Sequence, residues 1–552
     1  MDVQTSELTA AGELETAART WWLVALGAIV FAGLLLRLHG IGHPILDHPG
    51  WRQGDTAAIA RNFAQLRFNI AYPQTTYNGP PPNYVELELQ IVPFVSAILY
   101  KAIGVHEWIG RAIVILFSLA TIATLAYFGR WLFSSAIAGL AAAAVYAVFP
   151  GSVYYGRTFM PDAAMVFFLA AALYAAVVAL TDERDLTPRA SIVPALLLTF
   201  AYLAKPVAVV AFVPVCVLIV LRYRHRRPTN ALAIAILTIV PLAVLWGYDR
   251  IVSSHAEWHW ASGITSLHVV PSLRASLSGL QAFTTKLSAF WEALGLVRAT
   301  MLGTAGLALT VLAFATLPWS KPKSRALLWS WLAAEIAYLF VVMTVERVDY
   351  YAYSLLPLAA LVIGGGGAQF MRTLRDADVA PAARWALAAL LPLAIAGVAI
   401  QGRAAVAPYY AYNVTAYRNA RALDNALAPG ALIVLGHYGP DVQYYIDRFG
   451  WEEDPILWTP FDEESAIRKG ARYFISVEDN RLHRNVELCA WLQRFPLLYQ
   501  PGPWPVYVTD PQHMQPNADT FWRAFRVAER QHRGRDFLDA AGVCRVTKSI
   551  EL

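Results

Sequence analysis

The sequence predicts a polytopic α-helical membrane protein with about eleven transmembrane helices, amphipathic helices in its first outer loop and a C-terminal extracytoplasmic α/β domain. Three observations lead there. The 552 residues are 57% hydrophobic and only 15% charged, too little charge for a soluble chain of this length. Apolar runs of bilayer-crossing length, about 20 residues each, recur as far as residue 401. Beyond residue 409 charge rises and the apolar runs shorten.

The elements follow in order. Residues 1–20 form a polar tail, and residues 21–36 form an apolar run with no small-residue cleavage motif after it, so it is expected to stay as an anchor. The spans centre on 21–38, 109–128, 134–150, 163–180, 190–204, 206–221, 231–247, 299–317, 326–345, 352–370 and 385–401. The fifth and sixth are short and meet at Lys205 and Pro206. With the N-terminus cytoplasmic, the inner connections hold Arg130, Arg184, Arg189, Arg222, Arg224, Arg226, Arg227, Lys321, Lys323, Arg325, Arg372 and Arg375. The short outer connections hold one basic residue each: Arg157, Lys205 and Arg347. Basic residues favour the cytoplasmic side, so this asymmetry orients the chain.

Residues 21–408 are therefore the transmembrane domain and 409–552 the outer domain. In the latter, ALIVLG (431–436), RYFISV (472–477) and VYVTD (506–510) have strand character, with a helix over 463–469. Cys489 and Cys544 both fall there, and an oxidising compartment permits a bridge between them, whereas Cys216 sits in an apolar helix.

This topology gathers charge on one side. The first outer loop carries WRQGDTAAIARNF (51–63), with Arg52 and Asp55 heading a pattern (Ile59, Phe63, Leu66) suited to a helix along the membrane surface, and then Glu86 and Glu88. Arg157 and Asp162 lie in YYGRTFMPD, Lys205 ends the fifth span, and Arg347 and Asp349 precede Tyr350 and Tyr351. Charges at membrane depth cost about 2.5–3.5 kcal/mol each and mark pathways or sites.

Each has a structural alternative. Asp55 and Asp162 suit helix N-termini, Arg157 and Lys205 suit snorkelling, Glu86 and Glu88 suit a solvated interface, and Arg347 and Asp349 suit a mutual pair. His255 and His259 have the i, i+4 spacing of metal ligands on a helix, but flanking tryptophans favour an interfacial segment. Glycines 364–367 fit close helix packing better than a phosphate loop. No Walker sequence, zinc spacing or nucleophile elbow occurs, and no basic run interleaved with aromatics points to nucleic acid.

Over residues 20–400 the chain resembles the GT-C class of integral-membrane glycosyltransferases, in particular bacterial relatives of protein O-mannosyltransferases and of the aminoarabinose and galacturonic acid transferases of lipid A. The carriers are WRQGDTAAIARNF (51–63), ELELQIVPFVSAILYKAIGVHEWIGR (86–111), YYGRTFMPD (154–162), LAKP (203–206) and DYYAYSLLPLAALVIGG (349–365). The resemblance implies a bacterial inner-membrane enzyme of the cell envelope, a polyprenyl-phosphate-linked sugar as donor, and Asp55 as catalytic residue. Two departures stand out: Gln90 replaces a proline after Glu88, and Val348 replaces a histidine before the Asp-Tyr-Tyr signature.

The expected chemistry is inverting transfer to an acceptor hydroxyl. Asp55 is the base, and Arg157 and Lys205 bind the leaving phosphate, with Arg52 or Arg347 assisting. Glu86, Glu88, Asp162, Asp349 and Tyr350 line the substrate site, and Trp51, Tyr84 and Tyr154 are further aromatic candidates. No particular cofactor is identified, and a divalent metal is left open. The acceptor stays open among protein, lipid A, glycan and other lipid. Competing classes are a transporter or flippase of lipid-linked sugars, an oligosaccharide ligase or polymerase, and a binding protein using 409–552.

Overall fold

The computed structural model describes residues 2–317, 322–498 and 504–545. Lys321 and the side chain of Lys323, both counted among the inner basic residues, lie outside the described part, as do Met1 and the side chains of the tail through residue 18. The chain is a multi-pass membrane protein. Among the described residues, nine helical stretches are long and apolar enough to cross a bilayer: Arg19–Leu38, Glu107–Phe133, Asp162–Thr181, Pro206–Arg224, Ala231–Ser253, Leu280–Thr316, Ser324–Val342, Asp349–Asp376 and Pro381–Ala426. The sequence-predicted spans at 134–150 and 190–204 are the shorter apolar helices Ala136–Val148 and Pro188–Ala204.

The part of the fold that positions the site is built from α1 (Asp2–Leu38), α2 (Gly50–Gln65), α3 (Ile91–Ile103), α4 (Glu107–Phe133), α5 (Ala136–Val148), α6 (Pro150–Tyr155), α7 (Asp162–Thr181), α8 (Pro188–Ala204), α9 (Phe212–Arg224) and α10 (Ala231–Ser253). The four-glycine run lets the helix Leu355–Asp376 approach its neighbours closely. A Cβ on Gly366 would stand 2.6 Å from that of Ala313, and one on Gly364 would overlap the backbone of Ala138.

The sequence expectation for α2 gains a second partner. Its residues from Gln53 through Phe63 are all buried, so both of its faces are covered by protein. One side packs on α3 and the other on the helix Pro440–Ile446 of the C-terminal region. The approach to that helix is close at Gly54, where a Cβ would meet the Asp441 Cα at 2.5 Å. The Ile59/Phe63 stripe was legible, but the second buried face, made of Ala57, Ala58 and Ala60, is too small-sided to register as apolar periodicity.

Two loops distant in sequence join beside α2. Strand β1 (Val85–Glu86) pairs in parallel with β2 (Trp258–His259), in register Val85–Trp258 and Glu86–His259. The C-terminal region holds a sheet of β3 (Leu432–Gly436), β4 (Gly450–Glu453), β5 (Ala471–Ser476) and β6 (Val506–Val508), ordered β4-β3-β5-β6. Pairings with β3 are parallel and β6 is antiparallel to β5. Strand β4 was not foreseen. Its GWEE sequence has no β-branched residue to signal a strand.

The expected helix over 463–469 runs Pro460–Arg468, closed at its start by a Thr459/Asp462 capping box. Cys489 and Cys544 form a disulfide. The 3₁₀ turn Ala407–Tyr410 separates the apolar helix Leu390–Val406 from the helix Val414–Ala426 that leads into this region. Cross-contacts bind the two: the Arg61 guanidinium donates to the Tyr444 carbonyl at 2.9 Å, and the Ile45 amide donates to the Tyr445 hydroxyl at 2.8 Å.

Candidate active site

Arg52 and Asp55 stand one turn apart on α2, and the Arg52 guanidinium donates to the Asp55 carboxylate at 2.9 Å. Its other terminal nitrogen donates to Glu88. The Tyr77 hydroxyl donates to the second Asp55 oxygen at 3.1 Å. Asp55 is 1% exposed. Burial pushes its carboxyl above the ordinary range, against the opposing pull of Arg52 and the Tyr77 hydrogen bond. A carboxylate has about four lone-pair positions, so two hydrogen bonds still leave it able to accept a proton.

The main chain around Glu88 is held from three sides. The Gln90 side chain donates to the Glu88 carbonyl at 2.9 Å, the Tyr248 hydroxyl donates there at 3.3 Å, and the Leu89 amide donates to the Leu203 carbonyl at 2.8 Å. The glutamine that departs from the family pattern thus acts as a brace for Glu88.

The Leu203 contact brings in the broken span. Pro206 cannot continue α8, so Lys205 is extended and a 3₁₀ turn, Pro206–Ala211, follows before α9. The Lys205 ammonium donates to Asp162 at 2.6 Å and lies over the rings of Tyr350 and Tyr351 at 4.8 and 4.9 Å. Asp162 begins α7 directly after Pro161, as its sequence position suggests.

Four of these charged side chains share one cavity of about 550 Å³, whereas Asp162 and Tyr77 are not on its wall. Arg52, Asp55, Glu88 and Lys205 form its polar end, with Trp51, Trp260, Tyr350 and Tyr351 around them. Most of the remaining wall is apolar, including Val207, Val210, Val213, Ile264 and Val342. An ionic head and a hydrocarbon chain can be accommodated together in such a space.

Other sequence candidates lie elsewhere. Arg157 is fully buried in an ion pair with Asp47 at 2.5 Å and stacks over Tyr154 and Tyr410, outside the cavity. Arg347 pairs with Glu292 at 2.8 Å rather than with Asp349, and it is more than half exposed. Asp349 turns away from the cavity and accepts from Tyr155 at 2.5 Å, Thr300 at 2.7 Å and Tyr409 at 2.7 Å. Glu86 holds the loop junction, accepting from the Ser262 hydroxyl at 2.5 Å and contacting the His259 ring at 3.2 Å.

Tyr84 packs on Tyr72, and the Tyr154 hydroxyl donates to the carbonyls of His48 and Tyr409. His255 stacks on Tyr72 and His259 lies in β2, so the pair is not on a helix. Among the described residues no group of three or more His, Cys, Asp or Glu could hold a metal. Tyr77 and Trp260 are site residues that sequence reasoning missed, and long-range loop pairing is what brings Trp260 in. His48, also missed, approaches Tyr155 at 3.1 Å and Asp349 at 3.9 Å, beside the position where Val348 stands in for a histidine.

Broken helices, a buried first-loop acid and an amphiphilic cavity define the class: the fold is that of the GT-C glycosyltransferases. Residues 90–247 match the family model described as dolichyl-phosphate-mannose-protein mannosyltransferase. The apo structure of ArnT from Cupriavidus metallidurans aligns with a TM-score of 0.55 at 14% identity, covering 89% of this chain and 98% of that one. The same protein bound to undecaprenyl phosphate aligns at 0.53 and 13% identity, over 90% and 99%. The oligosaccharyltransferase AglB from Archaeoglobus fulgidus, in complex with an inhibitory peptide and a dolichol-phosphate, aligns at 0.57 and 13% identity, over 91% and 75%. No curated protein sequence is significantly similar to the chain.

Proposed function

We propose that this protein moves a sugar from a polyprenyl-phosphate donor to an acceptor hydroxyl, with inversion at the anomeric carbon. The observation that carries this is the single cavity joining Asp55, Arg52 and Lys205 to an apolar channel. The prenyl chain lies along that channel and its phosphate meets Lys205 and Arg52. The acceptor oxygen attacks the anomeric carbon as the bond to the phosphate oxygen breaks. The hydroxyl proton passes to Asp55, and the bond electrons leave with the phosphate, whose charge the two cations stabilise.

Glu88 holds Arg52 and Asp162 holds Lys205, so both cations are fixed before the donor arrives. The reaction face is the one turned away from the cytoplasm, in line with the basic inner loops, and the family match supports the same reading.

The test uses the purified full-length protein with prenyl phosphates bearing a neutral hexose, an amino sugar or a uronic acid, followed by mass spectrometry. Loss of sugar with release of free prenyl phosphate from at least one donor supports transfer. If every donor stays intact while lipid-linked sugar crosses a vesicle bilayer, the protein is a transporter.

A further inference from the structure

A second cavity, of about 580 Å³, lies at the other end of the bundle. Arg19, Trp22, Tyr127, Arg130, Trp131 and Tyr174 are among its lining residues. Its place follows from helix length. Arg19 precedes Arg37 by about 27 Å along α1 at 1.5 Å per residue, and Arg130 follows Arg111 by a similar distance along α4. Arg111 bonds to Asp47, just ahead of α2, so the second cavity is about one hydrocarbon thickness from the catalytic one.

Its electrostatics are the reverse of the catalytic end. There, Arg52, Arg111, Arg157 and Lys205 all have carboxylate partners. Here, among the described residues, neither Arg19 nor Arg130 forms an ion pair with a carboxylate. Arg130 instead lies over the Trp22 ring at 4.8 Å. Trp22 meets Tyr127 edge-on at 5.0 Å, and Trp131 meets Tyr174 edge-on at 6.2 Å. Two guanidiniums with no carboxylate partner among the described residues, in an aromatic-walled recess at the end of two spans, make a site for an anion, because guanidinium binds phosphate oxygens through paired N–H donors. Tryptophan and tyrosine favour headgroup depth, which makes the anion a lipid's.

We propose that this recess binds the phosphate headgroup of an anionic phospholipid in the leaflet opposite the catalytic cavity. The site has no part in the chemistry at Asp55.

The test is native mass spectrometry of the full-length protein released from mixed phosphatidylcholine and phosphatidylglycerol micelles, with Arg19→Gln, Arg130→Gln and the double variant. The expected result is selective retention of phosphatidylglycerol, weakened about fivefold by each single change and about 25-fold by both, at roughly 1 kcal/mol per basic residue near a charged lipid. Arg130→Lys, which keeps the charge but not the paired donors, is expected to fall between wild type and Arg130→Gln and so separates charge loss from misfolding. Equal retention of the two lipids, or retention unchanged in the double variant, overturns the proposal. Glycerol 3-phosphate competing as effectively as the intact lipid also overturns it, since the ligand is then a soluble phosphate. Prenyl-phosphate turnover is expected to persist in the double variant, so this result and that of the donor test are independent.

Discussion

Two arginine–carboxylate clusters stand within a few residues of each other in the first loop, and they differ in what is left over. At Asp47, Arg111 and Arg157 each take one carboxylate oxygen, at 2.8 and 2.5 Å, and all three residues are fully buried. The spare guanidinium donors of Arg111 go to the carbonyls of Gly40, Ile41, His43 and Pro44. None of the three lines the cavity that holds Asp55. At Asp55, Arg52 joins two carboxylates and all three residues line 550 Å³ of open space. Residue types and charge are nearly the same, yet one cluster is enclosed and the other lines a cavity. Access and spare lone pairs distinguish them. The two are also mechanically joined, because Gln53 on α2 donates to Asp47 at 2.7 Å.

That contrast can be broken by substitution. The largest effect is expected from Asp55→Asn, which should lower transfer by roughly 10²–10⁴-fold, the usual value of a general base, with thermal stability nearly unchanged. Asp47→Asn should do the reverse: it leaves two buried guanidiniums short of a counter-charge and costs about 3–5 kcal/mol of stability, seen in thermal or denaturant unfolding. Lys205→Ala should raise the donor KM by about tenfold or more, the value of a charged hydrogen bond, with a smaller effect on acceptor KM. Tyr77→Phe removes one hydrogen bond from Asp55 and should slow transfer by roughly two- to tenfold.

Smaller still are the pH effects. Asp55 must be deprotonated to act, and burial raises its pKa, so the acid limb of kcat/KM should lie above the ordinary carboxylate range. In the C-terminal sheet, burial pushes Glu452 up to about 8. For His437, burial works against the charged form, but hydrogen bonds to Asp441 and Glu478 raise it to about 10. Both folded values exceed the unfolded ones, 4.5 and 6.5, so the native state binds more protons. Stability of this region should therefore decline as pH rises from about 4.5 toward 10, first through Glu452 and then through His437, measured by hydrogen exchange in β3 and β4.

Much of the fold was legible because bilayer spans and loop charge are local signals. So was the chemical core of the site: Arg52, Asp55, Glu88 and Lys205, polar residues where apolar ones belong, all line the cavity. What sequence could not supply was partnership. Arg157 looked like a phosphate ligand because Asp47, which neutralises it, lies 110 positions earlier. Arg347 and Asp349, neighbours in sequence, have separate partners, because the 3₁₀ segment Asp349–Ser354 carries Asp349 into a hydroxyl cage and leaves Arg347 outside. Trp260 and Tyr77 reach the site only through loop packing that depends on β1 pairing with β2 and on the C-terminal region covering α2.

The most direct test measures single-turnover sugar transfer from a prenyl-phosphate donor by wild type, Asp55→Asn and Asp47→Asn at one temperature, with each protein's folded fraction determined in parallel. The account predicts that Asp55→Asn is fully folded and nearly inactive, whereas Asp47→Asn loses activity only in proportion to its folded fraction. Asp55→Asn with near wild-type transfer would contradict it.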